Sequence, residues 1–153
     1  MQNVLVITSD ENLINFIIHD KVSSLVRYTH YADVFRGLRM LTYKYFDILI
    51  FDIDSPSVDA VHALNIAKTI QDELHIIVIT NNAHILRQKK LEKQIIDHLL
   101  FKPIQYEHLS KHLKFVAMNR ERKKHIQLNN QHAINNQFAG YLKSQNKDVK
   151  VKK

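Results

Sequence analysis

Residues 46–56 read FDILIFDIDSP. Ile48, Leu49, Ile50 and Phe51 form an unbroken apolar run, the pattern of a strand buried on both faces of a parallel sheet. Asp52 ends the run and Pro56 follows four residues later. A strand that is apolar throughout and stops on an acid delivers a carboxylate to the carboxyl edge of the sheet, where open α/β sheets bind their ligands. Taken alone, such an Asp also reads as a strand cap, or as the start of a turn with Ser55 and Pro56. The rest of the chain has to decide between the two.

Outward from this stretch, strand and helix patterns alternate. Residues 3–7 (NVLVI) read as a first strand, and Thr8, Ser9 and Asp10 supply polar ends and a helix cap. Leu13, Ile14, Phe16, Ile17 and Ile18 follow at helical spacing. Residues 25–29 fit a second strand, and residues 31–45 an amphipathic helix with Val34, Leu38, Leu41 and Tyr45 on one side. Beyond Asp52, residues 58–70 place Val61, Leu64, Ile66, Ala67 and Ile70 on a helix, and residues 74–80 form a β-branched strand closed by Thr80. A helix through Ile85, Leu86 and Leu91 carries the basic RQKK run. Residues 98–101 give a short fifth strand before Lys102 and Pro103, and a last helix starts near Tyr106 and uses Leu109, Leu113, Phe115, Val116 and Met118. Tyr28, Tyr31, Tyr43 and Tyr45 are expected in the core or half-buried. Strand then helix, five times over, predicts parallel strands joined by right-handed crossovers.

The 153 residues suit one domain, residues 1–118, with an appendage, residues 119–153. No cysteine is present, which excludes disulfides and thiol chemistry and fits a reducing cytoplasm. No apolar run reaches the length of a membrane span, and the amino terminus carries no basic segment leading into a signal-like stretch, so a cytoplasmic location is expected. Two glycines in the whole chain disfavour a Gly-rich phosphate loop. Residues 1–118 hold 13 Lys and Arg against 13 Asp and Glu, whereas residues 119–153 hold 9 against 2, so the entire net charge of +7 lies in the appendage.

Asp52 after DILIF with Pro56 four residues on, Thr80 closing IIVIT, and Lys102 in FKP stand at the ends of the third, fourth and fifth strands. In that order and at those separations, residues 2 to about 118 resemble the receiver domains of two-component response regulators. The resemblance implies a flavodoxin-like (βα)5 three-layer α/β sandwich with parallel strand order 2-1-3-4-5. It also implies that Asp52 corresponds to the acid that accepts a phosphoryl group from a partner histidine kinase. A carboxylate is a competent nucleophile for that step. Lys102 would place positive charge by the phosphoryl oxygens, and Thr80 would offer them its hydroxyl. The surface of the fourth helix, fifth strand and fifth helix, residues 83–92 and 98–118, would be the partner face, for another protein or a second copy of the chain.

Two departures from the family pattern stand out. Receivers carry a pair of acids after the first strand that hold Mg2+ together with the acceptor Asp; here those positions align with Thr8 and Ser9. Mg2+ is a hard ion bound through carboxylates, waters and phosphate oxygens. Either the ion is not used and no cofactor is expected, or a rebuilt set of Asp10, Asp52 and Asp54 holds it; the simpler assignment makes Asp10 a helix cap and Asp54 a loop residue. The switch aromatic of many receivers is replaced by Leu99, beside His98. The expectation is an atypical receiver without enzymatic activity, acting by protein contact, with Mg2+-dependent phosphorylation weak or lost. The alternative is a phosphorylatable response regulator.

Residues 119–153 combine Arg120, Arg122, Lys123 and Lys124 with an Asn- and Gln-rich stretch and finish with Lys147, Lys150, Lys152 and Lys153. They read as a solvated extension, helical or disordered, with nucleic acid or an anionic surface as the competing partner for the clustered cations. His108 and His112 share zinc-like i, i+4 spacing, but no neighbouring third ligand supports a site, so they read as surface residues.

Overall fold

A computed structural model describes residues 1–19, 24–54, 59–82 and 95–151 of the chain, with side chains to residue 146. The chain divides into two units, Met1–Lys114 and Phe115–Lys153.

The first unit is built on five parallel strands, β1 (Gln2–Ile7), β2 (Val26–Tyr31), β3 (Ile48–Asp52), β4 (His75–Thr80) and β5 (His98–Phe101). Their order across the sheet is β2-β1-β3-β4-β5. Helices α1 (Glu11–His19), α2 (Val34–Met40) and α3 (Ala60–Ile70) lie in the connections, and α4 (Tyr106–Val151) follows β5. This is the flavodoxin-like three-layer arrangement expected from the strand and helix alternation. The helix expected through Ile85, Leu86 and Leu91 lies outside the described residues, as do Ser55, Pro56 and the part of the expected partner face in residues 83–92.

The apolar runs explain the layering. Successive strand side chains point to opposite faces. On one face Leu5, Ile7, Leu49, Phe51, Ile76 and Val78 form a buried cluster with Val34 and Leu38 of α2 and Ala60, Ala63, Leu64 and Ala67 of α3. The residues between them, Val4, Val6, Ile48, Ile50, Ile77 and Ile79, are equally buried, as are Leu13 and Ile17 of α1 and Leu109 and Leu113 of α4. Each such side chain removed from water contributes about 1.5–3 kcal/mol. All five residues of β3 are buried, which is why its run is continuous rather than alternating.

Several boundaries differ from the sequence expectation for identifiable reasons. β2 runs to Tyr31 because each of its six residues pairs with one of β1. α2 starts where the Asp33 carboxylate accepts the Arg36 amide and ends at Met40, well short of residue 45. Gln71 holds the chain beyond it: its amide donates to the carbonyls of Leu41 and Lys44, and its oxygen accepts the Phe46 amide. Tyr43 and Tyr45 are consequently exposed rather than core residues. Ile18, Phe115 and Met118 are likewise exposed. In the second unit the helix continues through the Asn- and Gln-rich stretch to Val151, with Ile126, Leu128, Ile134, Phe138, Tyr141 and Leu142 exposed.

Gly37 in α2 marks the closest approach of a helix to the sheet. A Cβ there would sit 2.6 Å from Cδ1 and 2.7 Å from Cγ1 of the buried Ile7. Gly37→Ala should therefore destabilise the fold by about 1–3 kcal/mol, although Ala is the better helix former. Pairing it with Ile7→Val in chemical denaturation should recover part of the loss; a Gly37→Ala protein as stable as the parent would refute this account of the contact.

Candidate functional site

The carboxyl ends of β1, β3 and β4 and the residue after β5 meet in one crevice. β3 ends on Asp52, which is 8 % exposed, and β4 ends on the fully buried Thr80. Lys102 follows β5, donating its amide to the Thr80 carbonyl. Its ammonium lies 3.0 Å from Asp52 Oδ2, 3.1 Å from Asp54 Oδ2 and 3.7 Å from Asp10 Oδ2. Thus Asp52, Lys102 and the two further acids Asp10 and Asp54 are brought together. Thr80 joins them through Asp54, whose Oδ1 accepts its hydroxyl at 2.7 Å.

The remaining lone pairs around the ammonium are engaged too. Thr8, 2 % exposed at the end of β1, donates its hydroxyl to Asp52 Oδ2 at 3.0 Å and accepts the Asp10 amide. Asp52 Oδ1 accepts the Asp54 amide, and Asp54 Oδ2 accepts the Asn81 amide. Asp10 Oδ1 accepts the amides of Asn12 and Leu13, so Asp10 is both the cap of α1 and a member of the cluster. Asp54 is more than a loop residue: it joins the ends of β3 and β4. The role of Thr8 carried no sequence signal, since its partner is 44 positions away.

Electrostatics follow from this wiring. Burial raises the Asp54 carboxyl, but hydrogen bonds from Thr80, Lys102 and the Asn81 amide, with the lysine charge, outweigh it and hold the group below its ordinary value. For Lys102, burial disfavours the charge, and its bonds to Asp52 and Asp54 outweigh burial and raise its pKa. A cavity of about 330 Å³ opens on the cluster, lined by Thr8, Ser9, Asp10, Asp52, Asp54 and Lys102 among others.

The Lys102 ammonium stands among the three carboxylates, the first-strand positions carry a hydroxyl pair, and both oxygens of Asp52 and Asp54 and Oδ1 of Asp10 already accept hydrogen bonds. Among the described residues no group of three acidic or imidazole side chains is arranged to hold a metal ion. Asp10, Asp52 and Asp54, the set offered for a rebuilt metal site, converge instead on the single Lys102 ammonium, which offsets one of their three charges.

A parallel sheet of order 2-1-3-4-5 that brings an acid, a hydroxyl residue and a lysine to one edge is the architecture of response-regulator receiver domains, and the chain has that fold. Among solved structures, the receiver domain of a Francisella response regulator is similar at 18% identity and TM-score 0.65, over 78% of this chain and 99% of that one. A receiver domain protein from Methanospirillum hungatei is similar at 17% identity and TM-score 0.68, over 80% and 98%. A structure described as representing streptococcal redox sensors evolved from two-component response regulators is similar at 12% identity and TM-score 0.70. The match covers 81% of this chain but only 54% of that one. No family model and no curated protein matches the sequence.

The other sequence candidates fall differently. Leu99 and His98 are half-buried in β5. His108 is exposed, whereas His112 turns away from it, toward His75 and His98. No helix among the described residues is long and apolar enough to cross a membrane.

Proposed function

We propose that the chain is an atypical receiver in bacterial signal transduction, working by protein contact rather than by Mg2+-dependent phosphoryl transfer to Asp52. The observation that carries this reading is the Lys102 ammonium seated among Asp52, Asp54 and Asp10, together with Thr8 and Ser9 at the positions of the usual acid pair. Phosphoryl transfer draws on positive charge around the equatorial oxygens and on in-line access to the nucleophile. Here one oxygen of Asp52 already accepts from both Lys102 and Thr8, which lowers its nucleophilicity, and Thr8 and Ser9 supply no carboxylate at the end of β1 to help hold a bridging divalent ion. Signalling then rests on the surface of β5 and the start of α4 toward a protein partner or a second copy. The cations of residues 120–153 supply attraction to acidic partners, nucleic acid included.

A second reading is favoured by one observation: three carboxylates do converge on a single cation, so a phosphoryl group arriving at Asp52 would meet Lys102 directly. In this reading Asp52 accepts phosphate from a histidine kinase with Lys102 as the main countercharge. Incubation with a small acyl phosphate and Mg2+, followed by intact-mass measurement, separates the two. The protein-contact reading expects less than a few per cent of added phosphoryl mass. A stoichiometric adduct that is lost in Asp52→Asn overturns it and establishes the second.

A further inference from the structure

The opposite, amino-terminal edge of the sheet holds a second cluster. His75 is the first residue of β4, His98 the first of β5, and His112 lies on α4 after two turns. Nε2 of His75 and Nε2 of His112 are hydrogen-bonded at 3.2 Å, one ring donating and the other accepting according to tautomer, the proton holding a place that an ion would take over. The His98 ring stacks on His112 with centroids 4.0 Å apart and planes 13° from parallel. All three residues are half-buried.

We propose that His75 and His112 form a two-imidazole seat for a borderline divalent transition-metal ion of the Zn2+ class, completed by His98 and water. Two ring nitrogens bound to one Zn2+ at about 2.0–2.1 Å, with a tetrahedral angle between them, stand about 3.3 Å apart. The separation of Nε2 atoms already has that value, without backbone movement. Because His98 stacks face to face, its nitrogen does not yet aim at the same point. It enters by rotation of its half-exposed ring, and water fills the remaining position. As the rings stand, no three ligating groups converge among the described residues, so a third protein ligand depends on that rotation.

The surroundings suit a cation held by neutral imidazoles. Burial and the neighbouring rings of His98 and His75 lower the His112 pKa to about 4, against a weaker opposing effect of Asp97, and burial lowers that of His98. An imidazole ligates in its neutral form. Asp97 Oδ2 stands 3.8 Å from His75 Nδ1, the nitrogen remote from the seat, beyond hydrogen-bond length but close enough for its charge to favour a cation there. The same oxygen accepts the Ile76 amide, which anchors it. Lys68 faces this group, 3.8 Å from Asp97 Oδ2 and donating to the Leu74 carbonyl.

The test is Zn2+ titration of the full chain at pH 7.5 by calorimetry, with thermal unfolding in parallel. One ion per chain is expected, with a raised Tm. His75→Gln and His112→Gln should each weaken uptake at least tenfold, His98→Gln less, and His108→Gln not at all. In case a variant fails to fold, diethyl pyrocarbonate labelling of the wild type reads the same seat: Zn2+ should protect His75, His98 and His112 and leave His108 open. Absence of saturable uptake, uptake indifferent to His75→Gln and His112→Gln, or protection at other histidines overturns the proposal. All of these outcomes are independent of whether Asp52 accepts phosphate.

Discussion

Lys102→Met is expected to lower the stability of the domain by about 2 kcal/mol at pH 7, seen as a Tm drop of about 4–8 °C. Removing one partner from a fully buried ion pair costs about 3–5 kcal/mol, because the other charge is left behind without compensation. The Lys102 side chain is 21% exposed and Asp52 and Asp54 are 8% and 16% exposed, so solvent screening reduces that figure. Methionine preserves most of the apolar stem, which isolates the effect of the charge. Three carboxylates would then face each other with only the Thr8 and Thr80 hydroxyls and backbone amides to hold them.

The pH dependence gives this prediction a sign that a packing defect would lack. Asp54 sits below its ordinary value of 3.8, so its contribution is present above that pH and is lost as pH falls through the lower folded value. Lys102 sits above 10.5, so its contribution is complete below that pH and is lost as pH rises through the folded value. The wild type should show a plateau between these limbs. In Lys102→Met the alkaline limb due to this group disappears, and stability recovers toward the wild type as acid neutralises the carboxylates. Urea unfolding at about pH 3, 7 and 11 checks it: a gap between the two proteins that is equal at all three pH values would show that lost packing, not lost charge, is responsible.

The residues of this cluster were unequally legible in the amino-acid sequence. Asp52, Thr80 and Lys102 each end a short apolar run, and a buried parallel strand announces its own carboxyl end through the first polar residue after the run. Fold and principal site could therefore be read together. Asp54 could not be given its role, because the bonds it makes to Thr80 and Asn81 span 26 and 27 positions and leave no local trace. The end of α2 was misplaced since the periodicity of Leu41 and Tyr45 says nothing of Gln71, whose side chain intercepts the carbonyls of the following turn from the end of α3. His112 was paired by spacing with His108, its neighbour along the helix, whereas sheet register brings His75 and His98 to it instead. The tail illustrates the converse: five asparagines in residues 126–146 are poor helix formers, yet the segment is helical, so composition there described polarity and not conformation.

Thr8→Asp combined with Ser9→Asp should turn the crevice into a Mg2+ site. Both residues line the cavity beside Asp52, and Thr8 Oγ1 already stands 3.0 Å from Asp52 Oδ2, so carboxylates placed there reach the space that Asp52 faces. Without Mg2+ the double variant is expected to be less stable than the wild type, because a carboxylate replaces a hydroxyl donor next to a buried acid and like charges oppose one another. With Mg2+ at tenfold its Kd, the bound ion should return about 1.4 kcal/mol, while the wild type gains nothing measurable at the same concentration. Asp52→Asn added to the double variant should weaken the Mg2+ response by removing a ligand, and Na+ at matched ionic strength should not reproduce it, which separates ligation from screening. The decisive comparison is with the parent chain. If the wild type is stabilised by Mg2+ as strongly as the double variant, then Asp10, Asp52 and Asp54 hold the ion unaided, Lys102 yields its place to it, and the phosphorylatable reading replaces the protein-contact one.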